Sequence, residues 1–379
     1  MSVRVEVAVV GAGSAGLGVA GALRRRGVGA LVLDRAGAVG ASWRGRYDGL
    51  RLNTVRWMSG QPGLAIPRRA GRWPERDAFV SYLERYAEHH ALDMRLGVAV
   101  ERIDRGNEGW CLATSDGEIT ARFAVVATGY DHTARLPDWP GREGFTGRLI
   151  HTKEYRNPIP FRGRQVVVVG AGNTGTEVAA QLVDGGAAAV ALSMRTPPNF
   201  VSRELRGLPV TPFARLADVA PAPLVDRVTA LGQRRTFGDL TTHGIPRAPW
   251  GVGTEIRVKG LGPTVDSGFL AAVKSGRIEL VGALERFEGP DVVLAHGVRR
   301  RPDVVIAATG HHQGLAGLVG HLGVLEPSGM PRAIRGRPHP SAPNLYFNGY
   351  LQPLGGQLPT MARTSRRIAR HIAAVRRRR

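Results

Sequence analysis

The chain has very little cysteine and very little lysine. Cys111 is the only cysteine among 379 residues, and the lysines are limited to Lys153, Lys259 and Lys274. A single cysteine cannot form a disulfide within the chain, which suits a reducing cytoplasm, where we expect the protein to act. A disulfide reductase needs a redox pair of thiols, so the composition excludes that enzyme class.

Long apolar runs are also missing. No stretch approaches the ~20 apolar residues of a membrane span, and the apolar N-terminus runs straight into a glycine turn, unlike a signal peptide. The formal net charge is +21, but most of the arginines are dispersed and no nucleic-acid-binding motif accompanies them. We therefore expect a small-molecule substrate, with neither nucleic acid nor a membrane as a partner.

Glycine, in contrast, is abundant and recurs in two matching turns. The stretches VAVVGAGSAG (7–16) and VVVVGAGNTG (166–175) each join an apolar strand to a helix. In such a turn the first glycine allows the tight bend, the second lets the backbone approach a pyrophosphate, and the third lets the helix pack on the strand. The helix N-terminus then attracts phosphate. The sequence predicts two dinucleotide sites, built from Gly11, Gly13, Ser14 and Gly16 and from Gly170, Gly172, Asn173, Thr174 and Gly175.

The residues after each second strand distinguish the two nucleotides. Asp34, followed by Arg35, ends the first of these strands, where an acid meets a ribose hydroxyl. The matching position in the second unit is Ser193, with Arg195 and Thr196 close behind. An arginine can bind the 2′-phosphate that an acid would repel, so the second site is predicted to bind NADPH. A flavin, FAD, is the natural hydride acceptor in the first.

The order of elements predicts an α/β fold with two doubly wound dinucleotide-binding domains, glutathione-reductase-like, and a small β-meander insertion. Similar strands, AVVATGY (124–130) and DVVIAATGHH (303–312), close the two units and place Thr128 and Gly129 at a sheet edge. We assign residues 1–154 and 309–379 to a discontinuous FAD-binding domain and residues 155–308 to an NADP-binding domain. The segment 196–251 is expected to line the substrate path or to form a helical excursion.

The stretch FTGRLIHTKEYR (145–156) resembles the fingerprint of the class B flavin-dependent monooxygenases. Baeyer–Villiger members usually differ at its last two positions, so the ending resembles the N- and S-oxygenating and YUCCA-type branch. The stretches GASWRGRYDGLRLNT (40–54) and GPTVDSGFLAAVKSGRIEL (262–280) are also similar to that family. One departure is His311, where the family usually has an aromatic residue. The residues that match the fingerprint are Phe145, Gly147, His151, Tyr155 and Arg156.

The resemblance implies an NADPH- and FAD-dependent monooxygenase. In this family reduced flavin and dioxygen form a C4a-hydroperoxide, which inserts one oxygen atom into a small-molecule substrate. N- or S-oxygenation ranks first, and oxidative decarboxylation of a 2-keto acid and Baeyer–Villiger oxidation follow. An NADPH oxidase or reductase without an oxygenated product stays open, and a homodimer is the default assembly.

The resemblance also implies roles for individual residues. Asn53 matches an asparagine that contacts the flavin ring and is the predicted catalytic residue, although a loop asparagine can also bond its own backbone. Trp43 is expected beside the flavin, and Gln357 at its pyrimidine edge or as a helix cap. His151 is expected to couple domain positions, with a general-base role ranked lower. No metal site is predicted, because the histidine pairs lack a carboxylate and a third ligand at useful spacing.

Overall fold

A computed structural model of the protein describes residues 3–260 and 262–378. The strands of the described chain are β1 (Val3–Val10), β2 (Leu31–Asp34), β3 (Asp93–Leu96), β4 (Val100–Gly106), β5 (Gly109–Thr114), β6 (Gly117–Val126), β7 (Thr133–Ala134), β8 (Arg148–His151), β9 (Gln165–Val169), β10 (Ala189–Ser193), β11 (Phe200–Ser202), β12 (Glu204–Leu205), β13 (Leu208–Pro209), β14 (Thr264–Asp266), β15 (Glu279–Val281), β16 (Leu284–Glu288), β17 (Asp291–Leu294), β18 (Arg299–Arg300), β19 (Val304–Ala307), β20 (His311–His312) and β21 (Leu345–Phe347). The helices are α1 (Ser14–Arg24), α2 (Ala41–Arg44), α3 (Arg56–Ser59), α4 (Arg76–His89), α5 (Asn173–Asp184), α6 (Thr211–Ala217), α7 (Ala222–Phe237), α8 (Val252–Lys259), α9 (Phe269–Lys274), α10 (Leu315–Val319) and α11 (Gln357–Arg377).

The first sheet is parallel at its centre and carries an antiparallel meander. Its order is β3-β2-β1-β6-β5-β4, and β21 pairs with β6 in parallel. The ten-residue strand β6 serves both neighbours, since β5 pairs with its first half and β21 with its second half. Helices α1, α4 and α11 share one apolar core against this sheet, and a second core covers the meander and α10. The predicted β-meander is therefore confirmed as β4, β5 and β6.

The second sheet has the order β15-β10-β9-β19-β8, and all its pairings are parallel. Its central strand β9 is the valine run of the second glycine motif, and residues 166–169 are buried. Helices α5 and α9 share one core with the sheet. On the other side, β16 and β17 contribute to a second core, and β18 pairs antiparallel with β17. Two doubly wound units, as the sequence predicts, are confirmed.

One boundary of the predicted division differs. The sequence places residues 148–151 in the first unit, but β8 pairs with β19 in the second sheet, with His151 opposite Ala307. This pairing is possible because Gly147 lets the chain pass close to Asp303 as it enters the sheet edge. The second sheet therefore begins before Tyr155. Which nucleotide each unit binds stays a prediction.

The segment 196–251 is largely a helical excursion. A two-residue hairpin, β12 and β13, leads into α6 and α7, and α8 follows. Asp226 of α7 caps α8, because its Oδ1 accepts hydrogen bonds from the backbone N–H groups of Gly253 (2.7 Å) and Thr254 (3.2 Å). Among the helices of residues 3–260 and 262–378, none combines the length and apolar character needed to cross a bilayer.

Candidate functional site

A cavity of about 850 Å³ lies at the carboxyl edge of the first sheet and reaches residues of the second unit. This volume is in the range of about 300–1,000 Å³ that ligand pockets occupy. Thr174 of α5 and four linker residues form part of its wall, namely Thr152, Lys153, Glu154 and Arg156. Nine of the ten residues predicted for FAD line it, namely Gly11, Gly13, Ser14, Asp34, Arg35, Trp43, Thr128, Gly129 and Gln357.

In the first glycine turn, two of the three glycines are required by the protein itself. Gly11 has φ +115°, and a Cβ there would lie 2.4 Å from the Ala127 carbonyl oxygen. A Cβ on Gly16, which lies outside the cavity lining, would be 1.9 Å from the Gly11 carbonyl oxygen. A Cβ on Gly13, in contrast, would have the Ser42 hydroxyl oxygen as its nearest neighbour, at 3.9 Å. The space beside the middle glycine is therefore open to a ligand.

The second glycine turn repeats this geometry. Gly170 has φ +115°, and a Cβ added there would lie 2.5 Å from the Ala308 carbonyl oxygen. A Cβ on Gly175 would lie 1.9 Å from the Gly170 carbonyl oxygen, whereas nothing lies within 4 Å of one on Gly172. Neither α1 nor α5 has a side-chain cap at its N-terminus, so both helices present backbone donors to the open space. Each turn fits a pyrophosphate.

The ends of β2 and β10 differ as the sequence predicts. Asp34 accepts hydrogen bonds from the backbone N–H groups of Ala12 (2.6 Å) and Ala36 (2.8 Å), and its carboxylate still lines the cavity. Ser193 faces inward instead, and its hydroxyl donates to the Gly282 carbonyl (2.9 Å). Arg195 and Thr196 follow β10 and are exposed. An exposed arginine at this edge is available to a 2′-phosphate.

Asn173, predicted to contact NADP, is engaged with the protein. Its Oδ1 accepts a hydrogen bond from the Val265 N–H (2.7 Å), and its Nδ2 donates to the Pro263 carbonyl (3.4 Å). The side chain therefore fixes the chain that leads into β14. Its neighbour Thr174 faces the cavity, and the backbone N–H groups of both residues stay at the helix N-terminus.

The predicted flavin contacts from other elements reach the same cavity. The Trp43 ring packs edge-on against Phe79 with centroids 4.6 Å apart, so it contacts both the core and the cavity. Gln357 is the first residue of α11, after Gly356 at φ +91°. The Thr128 hydroxyl is hydrogen bonded to the Tyr350 hydroxyl (2.9 Å), and this bond fixes the backbone just after the carboxyl end of β6.

The fingerprint residues 145–156 act as a structural connection between the units. The Phe145 ring packs on Phe287, with centroids 4.9 Å apart, and a Cβ on Gly147 would meet the Phe145 ring at 2.5 Å. Tyr155 is buried and donates to Gln181 Oε1 (3.1 Å). Arg156 donates to the carbonyls of Lys153 (3.0 Å) and Gly45, so it clips a loop of the first unit to the linker.

Both ring nitrogens of His151 have partners. Its Nδ1 accepts from the Lys153 N–H (3.1 Å) and its Nε2 lies 3.1 Å from the Gly310 carbonyl oxygen, so a neutral ring with the proton on Nε2 satisfies both. Burial lowers the pKa of His151, which also favours the neutral ring. This arrangement supports the linking role and leaves no free nitrogen for a general base.

His311 packs edge-on against His151, with ring centroids 5.0 Å apart. It lies in β20, which pairs with β7, and its Nδ1 is 3.8 Å from Asp131 Oδ1. Burial outweighs this carboxylate and lowers the pKa of His311 to about 4. The histidine therefore packs as a neutral ring at a position where the resemblance leads one to expect an aromatic residue.

A chain of polar groups, buried at Tyr47 and Glu177 and partly exposed at the other end, connects Asn53 to the cavity wall. Asn53 itself does not line the cavity; its Oδ1 accepts from Arg203 Nη2 (2.9 Å). The same Nη2 donates to the Ser267 hydroxyl (3.2 Å) and lies 3.9 Å from Glu177 Oε1. Tyr47, which lines the cavity, donates to Glu177 Oε2. Asn53 and Tyr47 belong to the first unit, and the other three to the second.

Burial is the largest cause of the pKa shifts of Tyr47, Glu177 and Arg203. It raises the pKa of Glu177 and raises the pKa of Tyr47 well above its usual value. Burial also lowers the pKa of Arg203. The Arg203 guanidinium lies over the Trp73 ring, with its Cζ 5.6 Å from the ring centroid. The Arg203 Nε is buried and has no hydrogen-bond partner among the described residues. An unsatisfied buried donor costs about 1–3 kcal/mol, so a ligand acceptor at this position would be stabilising.

Sequence reasoning missed Tyr47, Glu177 and Arg203. A usable signal was Glu177, an acid in the otherwise apolar part of the helix that follows the second glycine turn. Among residues 3–260 and 262–378, no group of three potential metal-ligating side chains comes together. Cys111 lies in β5, and burial raises its pKa to about 11, so it is not a reactive thiolate.

Comparison with known proteins gives a consistent picture. Residues 8–206 match the family described as pyridine nucleotide-disulphide oxidoreductase. The chain is 35% identical over 308 residues to an indole-3-pyruvate monooxygenase, YUCCA1, of Oryza sativa subsp. japonica, covering 80% of this chain and 76% of that protein. Probable indole-3-pyruvate monooxygenase YUCCA4 of Arabidopsis thaliana is 30% identical over 86% of this chain and 80% of its own. A flavin monooxygenase mutant from Stenotrophomonas maltophilia has a TM-score of 0.76 at 25% identity, with 99% of each chain covered.

Proposed function

Because the chain belongs to the pyridine nucleotide-disulphide oxidoreductase family and, within it, to the flavin-dependent monooxygenases that include the YUCCA enzymes, we propose that it decarboxylates a small 2-oxo acid oxidatively. It is an oxidoreductase of the FAD- and NADPH-dependent type. Bound FAD would take a hydride from NADPH and activate dioxygen. The single cysteine leaves no thiol pair for a disulfide cycle in this chain.

The buried donor on Arg203 carries this proposal. Its Nη2 donates to Asn53 and Ser267, and its Nε has no acceptor among residues 3–260 and 262–378. Guanidinium groups bind carboxylates through two donors at once, so the carboxylate of a 2-oxo acid would supply the missing acceptor next to Asn53. The rice YUCCA1 and YUCCA8 proteins with which the chain aligns are named for indole-3-pyruvate, which is a 2-oxo acid. Oxidative decarboxylation therefore ranks before N- or S-oxygenation, whereas the sequence favours the opposite order.

Each residue of the site then has a proposed role. The two glycine turns hold the pyrophosphates of FAD in the first unit and of NADPH in the second, where Arg195 takes the 2′-phosphate. Because Arg203 holds the Oδ1 of Asn53, the Nδ2 donor points away from the guanidinium, and we assign it to the reacting oxygen. Tyr47 and Glu177 hold Arg203 in position, and the apolar surroundings keep water out.

The proposed reaction consumes one 2-oxo acid, one dioxygen, one NADPH and one proton. It releases the carboxylic acid shorter by one carbon, carbon dioxide, NADP⁺ and water. The bond between the two oxidised carbons breaks, and one oxygen atom of dioxygen ends in the acid and the other in water.

The first prediction is tested with phenylpyruvate and labelled dioxygen. We expect one labelled oxygen in phenylacetate and one carbon dioxide per NADPH consumed. Arg203→Lys removes the Nε donor and should raise the KM for phenylpyruvate at least about tenfold, since a charged hydrogen bond is worth about 1.5–3 kcal/mol. Arg72→Lys, at a nearby arginine paired on the surface with Glu204, is the matched control and should leave the KM unchanged.

Two results would overturn this assignment. Oxygenation of a thioether or an amine without decarboxylation of any 2-oxo acid would establish the second candidate, N- or S-oxygenation, which the Tyr155–Arg156 ending of the fingerprint favours. Peroxide formed in equal amount to NADPH, with every substrate class, would favour an NADPH oxidase. A homodimeric state and a cytoplasmic location stay predictions.

A further inference from the structure

Exposed apolar side chains are concentrated in the helical excursion. In the described chain, thirteen large hydrophobic residues are exposed, and nine of them lie between positions 205 and 258. Three of these, Leu224, Val228 and Leu231, follow a helical spacing on α7 and are 54%, 62% and 51% exposed. They form one continuous stripe on the solvent side of the helix, which we call the α7 stripe.

The opposite face of α7 is firmly attached to the protein. Ala222 and Val225 are buried, and Gln233 Nε2 donates to the Phe200 carbonyl (2.7 Å). Asp226 caps α8, as described above, and Thr254 donates its hydroxyl to the same carboxylate (2.5 Å). The orientation of α7 is therefore fixed by contacts on its inner face, and the outward direction of the α7 stripe follows from it.

More apolar surface adjoins the start of the α7 stripe. Val219 precedes the helix and is 86% exposed, and Val258 of α8 is 63% exposed. Arg257 Nη2 donates to the Ala220 carbonyl (2.6 Å), which brings the end of α8 next to this point. The apolar surface thus extends across two helices.

Basic groups border the α7 stripe. Arg227 and Arg234 lie along one side of it and Arg235 at its C-terminal end, by helical spacing. All three are exposed, and none has an ion pair with a described residue within 4 Å. Two nearby acids are used inside the protein, since Asp226 caps α8 and Asp218 Oδ1 accepts from the Gly355 N–H (3.3 Å). A third, Asp239, is exposed, and hydrogen bonds from Thr241 together with the charges of Arg247 and Arg234 lower its pKa. An apolar stripe bordered by unpaired arginines is typical of a helix that lies in a membrane interface.

We propose that the α7 stripe docks the enzyme on the surface of an anionic lipid bilayer. Leu224, Val228 and Leu231 enter the acyl boundary, and the bordering arginines contact the anionic headgroups. A second copy of this chain fits less well, because its own net charge of +21 would bring arginines against arginines. The sequence predicted no membrane partner from the absence of a spanning segment, but docking on a surface needs no span.

This surface lies on the segment that also holds the loop before Gln357, a residue of the cavity lining. Asp218 at the end of α6 holds the loop at Gly355, two residues before Gln357. Docking would therefore place the bilayer near one wall of the site. An apolar substrate dissolved in lipid could then reach the enzyme without crossing bulk water.

The test is cosedimentation of the full FAD-loaded chain with sucrose-filled vesicles. Vesicles of phosphatidylcholine and phosphatidylglycerol in equal parts should pellet the protein, and phosphatidylcholine alone should not. The triple variant Leu224→Ser, Val228→Ser, Leu231→Ser should lower the bound-to-free ratio at least about tenfold. The control triple variant Leu136→Ser, Ile159→Ser, Val298→Ser removes exposed apolar side chains elsewhere and should bind like the unchanged protein.

Two charge variants distinguish lipid binding by the arginines beside the α7 stripe from attraction of the vesicles by the net charge. Arg227→Gln, Arg234→Gln, Arg235→Gln should weaken binding, whereas Arg68→Gln, Arg69→Gln, Arg95→Gln lowers the net charge equally at other exposed positions and should not. Equal binding by both charge variants, or full binding by the stripe variant, would overturn the proposal. So would a dimer that forms without lipid and is lost in the stripe variant, because the partner would then be a second copy. Thermal unfolding of each variant checks that it is folded.

Discussion

Single residues in the two glycine turns meet two different requirements. Gly11 and Gly16 are needed because the backbone comes too close for a side chain, and the same holds for Gly170 and Gly175. Gly13 has ordinary extended backbone, with φ −87°, and open space around it. The protein fold therefore needs the outer glycines, whereas no contact of the described residues requires the middle one, which is the position predicted to face a pyrophosphate.

This difference leads to a prediction at the residue scale. Gly11→Ala forces a side chain into the left-handed region against the Ala127 carbonyl and should lower the free energy of unfolding by about 3 kcal/mol or more. Gly13→Ala should leave the stability of the apoprotein within about 1 kcal/mol, because alanine adopts its backbone angles without strain. FAD affinity should nevertheless fall at least about tenfold, since the methyl group occupies the phosphate space.

Thermal unfolding of the apoprotein and titration with FAD give the two quantities separately. Gly172→Ala serves as the matched control in the second unit, where the backbone is equally relaxed, with φ −75°. It should weaken NADPH binding and leave FAD binding unchanged. If Gly13→Ala bound FAD as tightly as the unchanged protein, the first turn would not hold a pyrophosphate.

The residues that sequence reasoning found are those whose role depends on local order. The spacing of three glycines and an acid after the next strand can be read without knowing what packs where. Arg203 and Glu177 could not be found in this way, because their partners Asn53 and Tyr47 are distant in sequence and come together only when the two units pack. Asn173 shows the opposite limit: its motif position predicts a ligand contact, but its side chain accepts a hydrogen bond from the Val265 backbone.

Among the elements, the short pair β7 and β20 joins the ends of the two units. His311 in β20 packs against His151 at the end of β8, so the two-stranded sheet and the second sheet each contribute one ring to the contact. The sequence predicted the main strands well, because valine runs are specific. It placed the boundary of the second sheet too late, because β8 has only four residues and its pairing with β19 depends on tertiary contacts.

The His311 contact predicts a stability change with pH at the element scale. Its pKa is lowered from 6.5 to about 4, so between these values the unfolded chain binds more protons than the folded protein does. Unfolding is therefore favoured as the pH falls, and the stability contributed by this group is lost between pH 6.5 and 4. His311→Phe keeps a ring and removes the proton, so this loss should be absent in the variant.

Chemical denaturation of both proteins at several pH values measures the difference. The unchanged protein should lose stability relative to His311→Phe as the pH falls through this window, and the two should run parallel above pH 7. His243→Phe, at an exposed histidine of the excursion, is the matched control and should run parallel throughout. A constant difference between the unchanged protein and His311→Phe at all pH values would mean that His311 contributes packing alone.

At the scale of the whole molecule, the chain contains two similar nucleotide-binding units, and polar side chains form contacts between them. The duplication could be predicted from sequence because both copies keep the same strand, turn and helix. The joining contacts could not, since they exist only between copies. Tyr47 and Glu177 form one such contact, and Tyr47 lines the cavity. Tyr155 and Gln181 form a neutral contact on the same helix α5, but within the second unit.

This pair of contacts supports the last prediction, which compares Tyr47→Phe with Tyr155→Phe. Each variant removes one buried hydroxyl, but Tyr47 donates to a carboxylate and Tyr155 to an amide oxygen. Hydrogen bonds to charged groups contribute about 1.5–3 kcal/mol and neutral ones about 0.5–1.5 kcal/mol, so Tyr47→Phe should be the more destabilising. It also leaves Glu177 with fewer donors, so Arg203 and therefore Asn53 lose their fixed position. We expect Tyr47→Phe to release a larger share of the NADPH electrons as hydrogen peroxide, while Tyr155→Phe keeps the unchanged ratio of product to peroxide. If both variants leaked peroxide equally, the leak would follow from loosened packing around α5, and the polar contacts from Tyr47 to Asn53 would have no separate part in the reaction.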